Sequence, residues 1–567
     1  MNDKIRYIDY ILGISKPIGS QLKSVRMKWK INGKKCLCIA VVLLLLLGAF
    51  LVRDYGIWYD ENVEIDIARM DLKEYVRLFA GEDSSLFAFM DDKIGNLMDS
   101  VEIDHGEAMI YPAAAVVSVF RQIGHAEWGM WFYHYYLWCW FVAALICLYF
   151  TGKYLTGKRR WGAVTAGLLL LHPRFFAEAF FNNKDVLMLS ATAICIWFGI
   201  RFIERKNYKW AVLWAVSVAF CTNLRIIGGL YAVLFGGLYL IEYVRDGWKD
   251  WRRLRVGAAA CITGILVFIA ITPATWYSLT DYIGYTLSNA AGFSRWDNWI
   301  LYMGELYKYS VRPLPWHYLL VFIGITAPVG FVAVLVWGQV YGAVRGWKKK
   351  DNRKYIYLLL LLFWLPMLYY IVRGSNVYNG WRHFYFIYPA AAILAGLGLN
   401  ALEERWLKYR RWLWGIIGVQ GLWCIYLLVS GHPLQYVYFN CLAGNDVENT
   451  YEMDTGNVSF QYALNQILDR DDSETILISS ENLSSYYGIK MAWEVLPKEE
   501  QARIEIAEPE TEECYDADYL IYNCTTVNVE QKVEETEFLY ENPDFIKEFS
   551  IDAYDLEVLD IYKRDRL

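Results

Sequence analysis

Apolar runs, many of them about 17–25 residues long and almost free of charge, recur from residue 36 to residue 430. That is the length a helix rising 1.5 Å per residue needs to cross roughly 30 Å of hydrocarbon. The pattern predicts about eleven spans, at 36–52, 128–150, 161–172, 185–203, 210–222, 226–243, 256–272, 316–341, 355–372, 382–402 and 413–430. Val41–Leu47 reads VVLLLLL, and Leu358–Leu362 is an unbroken leucine run. Beyond residue 430 the period shortens. The runs TILIS (475–479), YLIY (519–522) and LEVLDIY (556–562) read as strands, and Phe460–Leu468 reads as a helix. The expected architecture is a polytopic α-helical membrane protein with a small C-terminal α/β domain. It divides into a basic segment 1–35, a membrane domain 36–430 whose first outer loop runs from 53 to 127, and a soluble domain 431–567. Within that outer loop Ala113–Phe120 is apolar but too short to span, so it reads as an interfacial or re-entrant helix.

Composition agrees with this reading. Hydrophobic residues make up 56% of the chain, above the roughly one half of a soluble domain. Trp and Tyr are abundant, as expected of residues that anchor helix ends at the interface. The net charge of −6 matters less than its segregation. Lys23, Arg26, Lys28, Lys30, Lys34 and Lys35 precede the first span and place it in the cytoplasm. Five later loops on the same side are all basic: 151–160, 204–209, 244–255, 345–354 and 403–412. The opposite loops are acidic or neutral, and an odd number of spans puts 431–567 outside the cytoplasm. The N-terminal segment lacks the small-residue cleavage site of a secretory signal. The cysteines show no metal spacing, and most lie in apolar helices; a Cys514–Cys524 disulfide in the tail is one option.

Unusual residues gather on the outer side. Asp60 and Glu61 follow the first span directly; adjacent carboxylates at a membrane surface suit a general base or a metal ligand, against the plainer reading of a solvated acidic loop. His105, Glu107, Tyr111 and Pro112 come later in the same loop. The second outer loop, HPRFFAEAFFNNKD (172–185), holds His172, Arg174, Glu178, Lys184 and Asp185 at a helix mouth, where charge is costly unless paired or functional. Arg174 and Lys184 could bind a phosphate, and Asp185 could hold Lys184 or a substrate hydroxyl. The alternative is an interface anchor with a Lys–Asp pair. Arg225, Arg373, Arg382 and His383 also lie on the outer side, against the positive-inside trend. Arginines converging on one cavity suit a lipid phosphate or diphosphate; otherwise they are snorkelling anchors.

At these residues the chain resembles the bacterial polyprenyl-phosphate-dependent glycosyltransferases of the GT-C fold, and most of all the branch of glycosyltransferase family 39, related to the dolichyl-phosphate-mannose–protein mannosyltransferases. Four segments carry the resemblance: Trp58-Tyr59-Asp60-Glu61, HPRFFAEAFFNNKD at 172–185, GWRHFYFIYPA at 380–390, and HPLQYVYFNCLAG at 432–444 leading into Glu452-Met453-Asp454. Asn183 departs from it where a Pro is expected, and Thr455-Gly456-Asn457 departs where an aromatic residue is expected. The resemblance implies a GT-C-like membrane domain and sugar transfer at the outer face from a polyprenyl-phosphate donor. It implies Asp60 as the base, with Glu61 as the other candidate, Lys184 and Asp185 beside the donor phosphate and sugar, and Arg382 and His383 near the lipid phosphate. The implied partners are the lipid-linked donor, a glycan, lipid or protein acceptor, and the bilayer, with no nucleic acid. No residue is assigned to a metal. The GT-C fold includes metal-dependent and metal-independent enzymes, so a divalent cation stays open.

The same features would also serve a transporter or flippase of lipid-linked saccharides. Transporters, however, usually carry polar residues at the midplane on broken helices and internal repeats, whereas here the ionisable residues cluster on one face. A scaffold whose function lies only in the tail would leave the outer-loop motifs unexplained.

Overall fold

The structure is a computed structural model; it describes residues 33–246, 248–291, 296–345, 353–524, 539 and 542–565. Most of the basic N-terminal segment and of the basic loop 345–354 therefore lies outside the described residues. The chain forms two compact units, Met1–Leu47 and Gly48–Leu567. The first is described from Gly33, where helix α1 (Gly33–Leu51) begins.

The second unit is a multi-pass bundle of apolar helices. Among the described residues, seven helices are long and apolar enough to cross a membrane: Ala126–Thr156, Asp185–Arg205, Ile226–Arg245, Trp251–Ile271, Arg353–Arg373, Arg382–Arg405 and Leu407–Ser430. The pair Arg159–Leu170 and Pro173–Phe181, bent by 68°, would make an eighth; Lys35–Leu51 and Val329–Val344 are shorter apolar helices. The remaining predicted spans are likewise helical but shorter. Span 316–341 is not continuous. It breaks into Tyr318–Thr326 and Val329–Arg345, because Pro328 cannot donate the hydrogen bond that would carry a helix through it.

Helices cross closely where side chains are small. A Cβ on Gly338 would lie 2.5 Å from the backbone nitrogen of Ala395, so this crossing depends on glycine. The arms outside the bundle are more ordered than the sequence pattern implies. The stretch 53–127 is largely helical: α2 (Tyr59–Ala80), α3 (Ser85–Asp91) and α4 (Tyr111–Gln122), the last covering the short apolar stretch. The stretch 172–185 is not a loop either. Pro173 starts the nine-residue helix Pro173–Phe181, and every residue of it is buried.

The C-terminal region contains a five-stranded sheet in the order β4-β3-β5-β7-β6, with β3 (Ile476–Ser480), β4 (Ile504–Ile506), β5 (Tyr519–Asn523), β6 (Phe545–Ala553) and β7 (Leu556–Arg564). A separate short hairpin, β1–β2, covers Ile300–Tyr307. β3 pairs parallel with β4 and β5, whereas β7 runs antiparallel to β5 and β6. The three predicted strands are present. β4 is short, and β6 is exposed on one side, so neither shows a strong apolar run. The predicted helix is Ser459–Arg470. Cys514 packs with Ala517, Leu520 and Phe545, and both Cys514 and Cys524 are free thiols, so the disulfide option is not taken.

Candidate functional site

Asp60 and Glu61 are neighbours in sequence, but successive helical residues point about 100° apart. Trp58 caps α2. Its backbone N–H donates to Glu61 Oε2 at 2.7 Å, while the Glu61 N–H donates to the Trp58 carbonyl at 2.9 Å. Glu61 thereby supplies the reciprocal half of a capping box, its carboxylate satisfying the backbone N–H of the cap residue. Its other oxygen lies 3.0 Å from His134 Nε2. It is fully buried, and that burial pushes its pKa up despite the opposing His134. Asp60 faces elsewhere and is about one-third exposed, at 34% of its side chain. It accepts from Trp58 Nε1 at 3.2 Å and from Arg382 Nη1 at 2.7 Å.

Arg382 stands in the first turn of the 3₁₀ helix Arg382–Ile387, between two carboxylates, with Asp185 Oδ2 at 3.8 Å on its second side. Its guanidinium lies 5.5 Å from the ring centre of Trp58 and 5.2 Å from that of Tyr378. Asp185 begins the helix Asp185–Arg205; the Asn182 side chain accepts from its backbone N–H at 2.7 Å. Arg225, where the helix Tyr208–Leu224 ends, donates to the other Asp185 oxygen. His383 packs edge-on against Tyr378 and has Arg225, Arg382, Lys184 and His105 as charged neighbours. Four helix ends distant in sequence thus bring Asp60, Arg382, Asp185 and Arg225 into one chain of ion pairs.

Lys184 joins a second group that the sequence reading did not assemble. It donates to Glu64 Oε1 at 2.8 Å. Glu64 also faces His105 Nδ1 at 3.2 Å, and His105 Nε2 lies 2.9 Å from Glu102. Glu64 lies four residues after Asp60, on the same face of α2, and that spacing was the available signal. Burial works against the Glu64 charge, but Lys184 and His105 outweigh it and hold its pKa well below the usual range. Burial, with the Glu64 charge and a hydrogen bond to Glu64 beside it, pushes Glu107 well above that range.

His172 and Arg174 are placed apart from this cluster. His172 is fully buried against Phe175 and Tyr388, and neither ring nitrogen has a partner. Its environment is aromatic packing. Arg174 lies 4.0 Å from Glu178 and 5.7 Å from the ring centre of Phe439. Glu178 in turn accepts from Tyr385 at 2.9 Å and from Asn182 at 2.7 Å, and Asn182 links this group to Asp185.

The segment after residue 450 closes the cluster from another side. The Tyr59 N–H donates to the Gly456 carbonyl at 3.0 Å, and a Cβ on Gly456 would lie 2.2 Å from the Trp58 ring. The departure at this position is therefore a fit to Trp58. Asn183, the other departure, donates to Tyr133 at 2.8 Å. Asp454 accepts from Ser459 at the start of its helix, and burial raises Glu452 to about 8. Among the described residues, Glu102, Asp104 and His105 have ligand atoms within 4.8 Å of one another and could hold a metal ion, as could Cys524, Glu557 and Asp560. Neither group includes Asp60 or Asp185.

Residues 109–277 match the family model "Dolichyl-phosphate-mannose-protein mannosyltransferase". The resemblance read from the sequence is borne out over that segment, which contains His172, Arg174, Lys184, Asp185 and Arg225. Two solved structures are similar. One is ArnT from Cupriavidus metallidurans bound to undecaprenyl phosphate, with 12% identity and a TM-score of 0.48, covering 93% of this chain and 97% of that one. The other is the same protein in the apo state, with 12% identity and a TM-score of 0.47, covering 94% and 98%. No curated protein matches the chain.

Proposed function

We propose that this multi-pass membrane protein is a glycosyltransferase that moves a sugar from a polyprenyl-phosphate donor to an acceptor hydroxyl at the extracytoplasmic face. The observation that carries the proposal is the partly exposed Asp60 carboxylate, 2.7 Å from Arg382 and linked through Asp185 to Arg225. The family model over 109–277 supports the reaction class. The five basic loops support the orientation, with the N-terminus cytoplasmic and 431–567 outside.

A lipid-linked donor cannot leave the bilayer, so its phosphate must meet protein cations at the membrane surface. Arg382 and Arg225 have the planar fork that suits a phosphate. Asp60 takes the proton of the acceptor hydroxyl. The acceptor oxygen bonds to the anomeric carbon as the bond to the phosphate oxygen breaks. The phosphate departs with that electron pair, and the fixed guanidinium groups stabilise its growing charge. Lys184, held by Glu64, adds a further cation beside Asp185. Glu61 keeps the first turn of α2 in place without touching the reactants. Which sugar and which acceptor are used is a matter for experiment. Purified full-length protein is incubated with a panel of labelled polyprenyl-phosphate sugars and membrane extract, and the products are separated. Label transferred to a new product, and lost in Asp60→Asn, supports the reading. Intact donor throughout, with no donor binding, overturns it.

A further inference from the structure

A cavity of about 370 Å³ lies between the N-terminal end of the helix Ala126–Thr156, the segment after the first span, the helix Ser459–Arg470 and the turn near Pro497. Its size falls within the about 300–1,000 Å³ of small-molecule sites. Two of its lining groups are buried polar side chains whose hydrogen-bonding capacity is unmet. His134 is 1% exposed, and its Nδ1 has no partner; Gln461 is 7% exposed, and its Oε1 has none. A buried unpaired polar atom costs about 1–3 kcal/mol, so two of them in one cavity point to a ligand that satisfies both.

The wall also specifies the ligand's chemistry. His134 Nε2 is engaged by Glu61, so Nδ1 is the nitrogen left for the cavity, and the Gln461 oxygen accepts only. Asn465, Asp469 and Glu500 line the remaining wall, with Arg53 opposite. Asp469 and Glu500 disfavour a phosphate. This is the reverse of the arginine-rich cluster around Asp185. We infer that the cavity is a binding site for a neutral, hydroxyl-rich saccharide, whose hydroxyl groups donate to His134 Nδ1 and Gln461 Oε1.

Its position suggests a role. His134 touches Glu61, and Glu61 holds the turn that carries Asp60, so an occupant is linked to the base through His134 and Glu61. If the proposed transfer reaction holds, this is where a glycan acceptor rests its non-reacting sugar; that role rests on the proposed function, whereas saccharide binding rests on the cavity alone.

The test is saturation-transfer NMR on full-length protein in nanodiscs, using the methyl glycosides of mannose, glucose, galactose and N-acetylglucosamine as probes. At least one should bind. Gln461→Met, which keeps the volume without the acceptor, and Asn465→Trp, which fills the space, should each weaken it by tenfold or more. Binding of undecaprenyl phosphate, measured in parallel, should not change in either variant. Absence of binding by all four glycosides to protein that still binds undecaprenyl phosphate overturns the inference and leaves the donor site standing. So does glycoside binding indifferent to both substitutions. Glycoside binding lost in both variants, in protein that binds no polyprenyl phosphate, upholds the cavity and removes the donor reading.

Discussion

Substituting the two adjacent carboxylates should injure the protein in different ways. Asp60→Asn keeps the shape and can still accept from Trp58 Nε1, but it cannot take a proton and loses its ion pair with Arg382. The Asp60 side chain is one-third exposed but Arg382 is buried, and the amide oxygen can still accept from it; the loss is that between a charge-assisted and a neutral hydrogen bond, about 1 kcal/mol, so thermal stability should fall only slightly. Turnover should fall about 10²–10⁴-fold, the usual contribution of a general base and about 3–5 kcal/mol of barrier. Glu61→Ala removes a cap worth about 0.5–2 kcal/mol and leaves His134 Nε2 buried without its partner, at a further cost of about 1–3 kcal/mol. It should unfold several degrees earlier, with transfer per folded molecule largely kept. Scanning fluorimetry of solubilised protein reads the first quantity and labelled-sugar transfer reads the second. If Glu61→Ala keeps its melting temperature and loses transfer while Asp60→Asn turns over normally, the assignment is reversed and Glu61 is the base. Near-normal turnover in both variants would move the chemistry towards Asp185.

Three further outcomes are expected. Arg382→Lys keeps the charge but loses the planar fork, and donor affinity measured by titration with undecaprenyl phosphate should fall about 10–100-fold, the worth of one charge-assisted hydrogen bond; unchanged affinity in Arg382→Ala would remove this residue from the site. A reporter active only in the cytoplasm, fused after Leu567, should be silent, and activity there would invert the proposed topology. Burial pushes Asp71 up to about 8, in spite of the hydrogen bond from Tyr111 at 2.8 Å. The folded chain then holds a proton between about pH 4 and 8 that the unfolded chain has released, so this group costs stability progressively as pH rises through that window. Asp71→Asn should therefore melt above the parent protein at pH 9 and alongside it below pH 4; an equal gap at both would show that Asp71 does not titrate there.

Much of the architecture was readable along the chain because its causes are local. The helices follow from apolar length, since a backbone in hydrocarbon must satisfy its own hydrogen bonds. The strands TILIS, YLIY and LEVLDIY announce themselves by composition, while β4 and β6 do not: one is only three residues long and the other lies at the sheet edge with much of its surface exposed. The helical content of 53–127 was hidden, because α2 carries many charges and shows no long apolar stripe.

The site was legible as a set of residue types and illegible as a geometry. Asp60, Asp185, Arg225 and Arg382 stand out in sequence because charge at the mouth of an apolar helix demands a reason. That Arg382 meets Asp60 across 322 residues, that Lys184 chooses Glu64 over its neighbour Asp185, and that His172 disappears into aromatic packing could not be read there. The sequence by itself determined that the chain crosses a membrane repeatedly, since solvation acts on each segment separately. Only the tertiary structure decided which charges pair and which of two adjacent carboxylates faces the arginines, because ion pairing depends on distances between helix ends that no local rule sets.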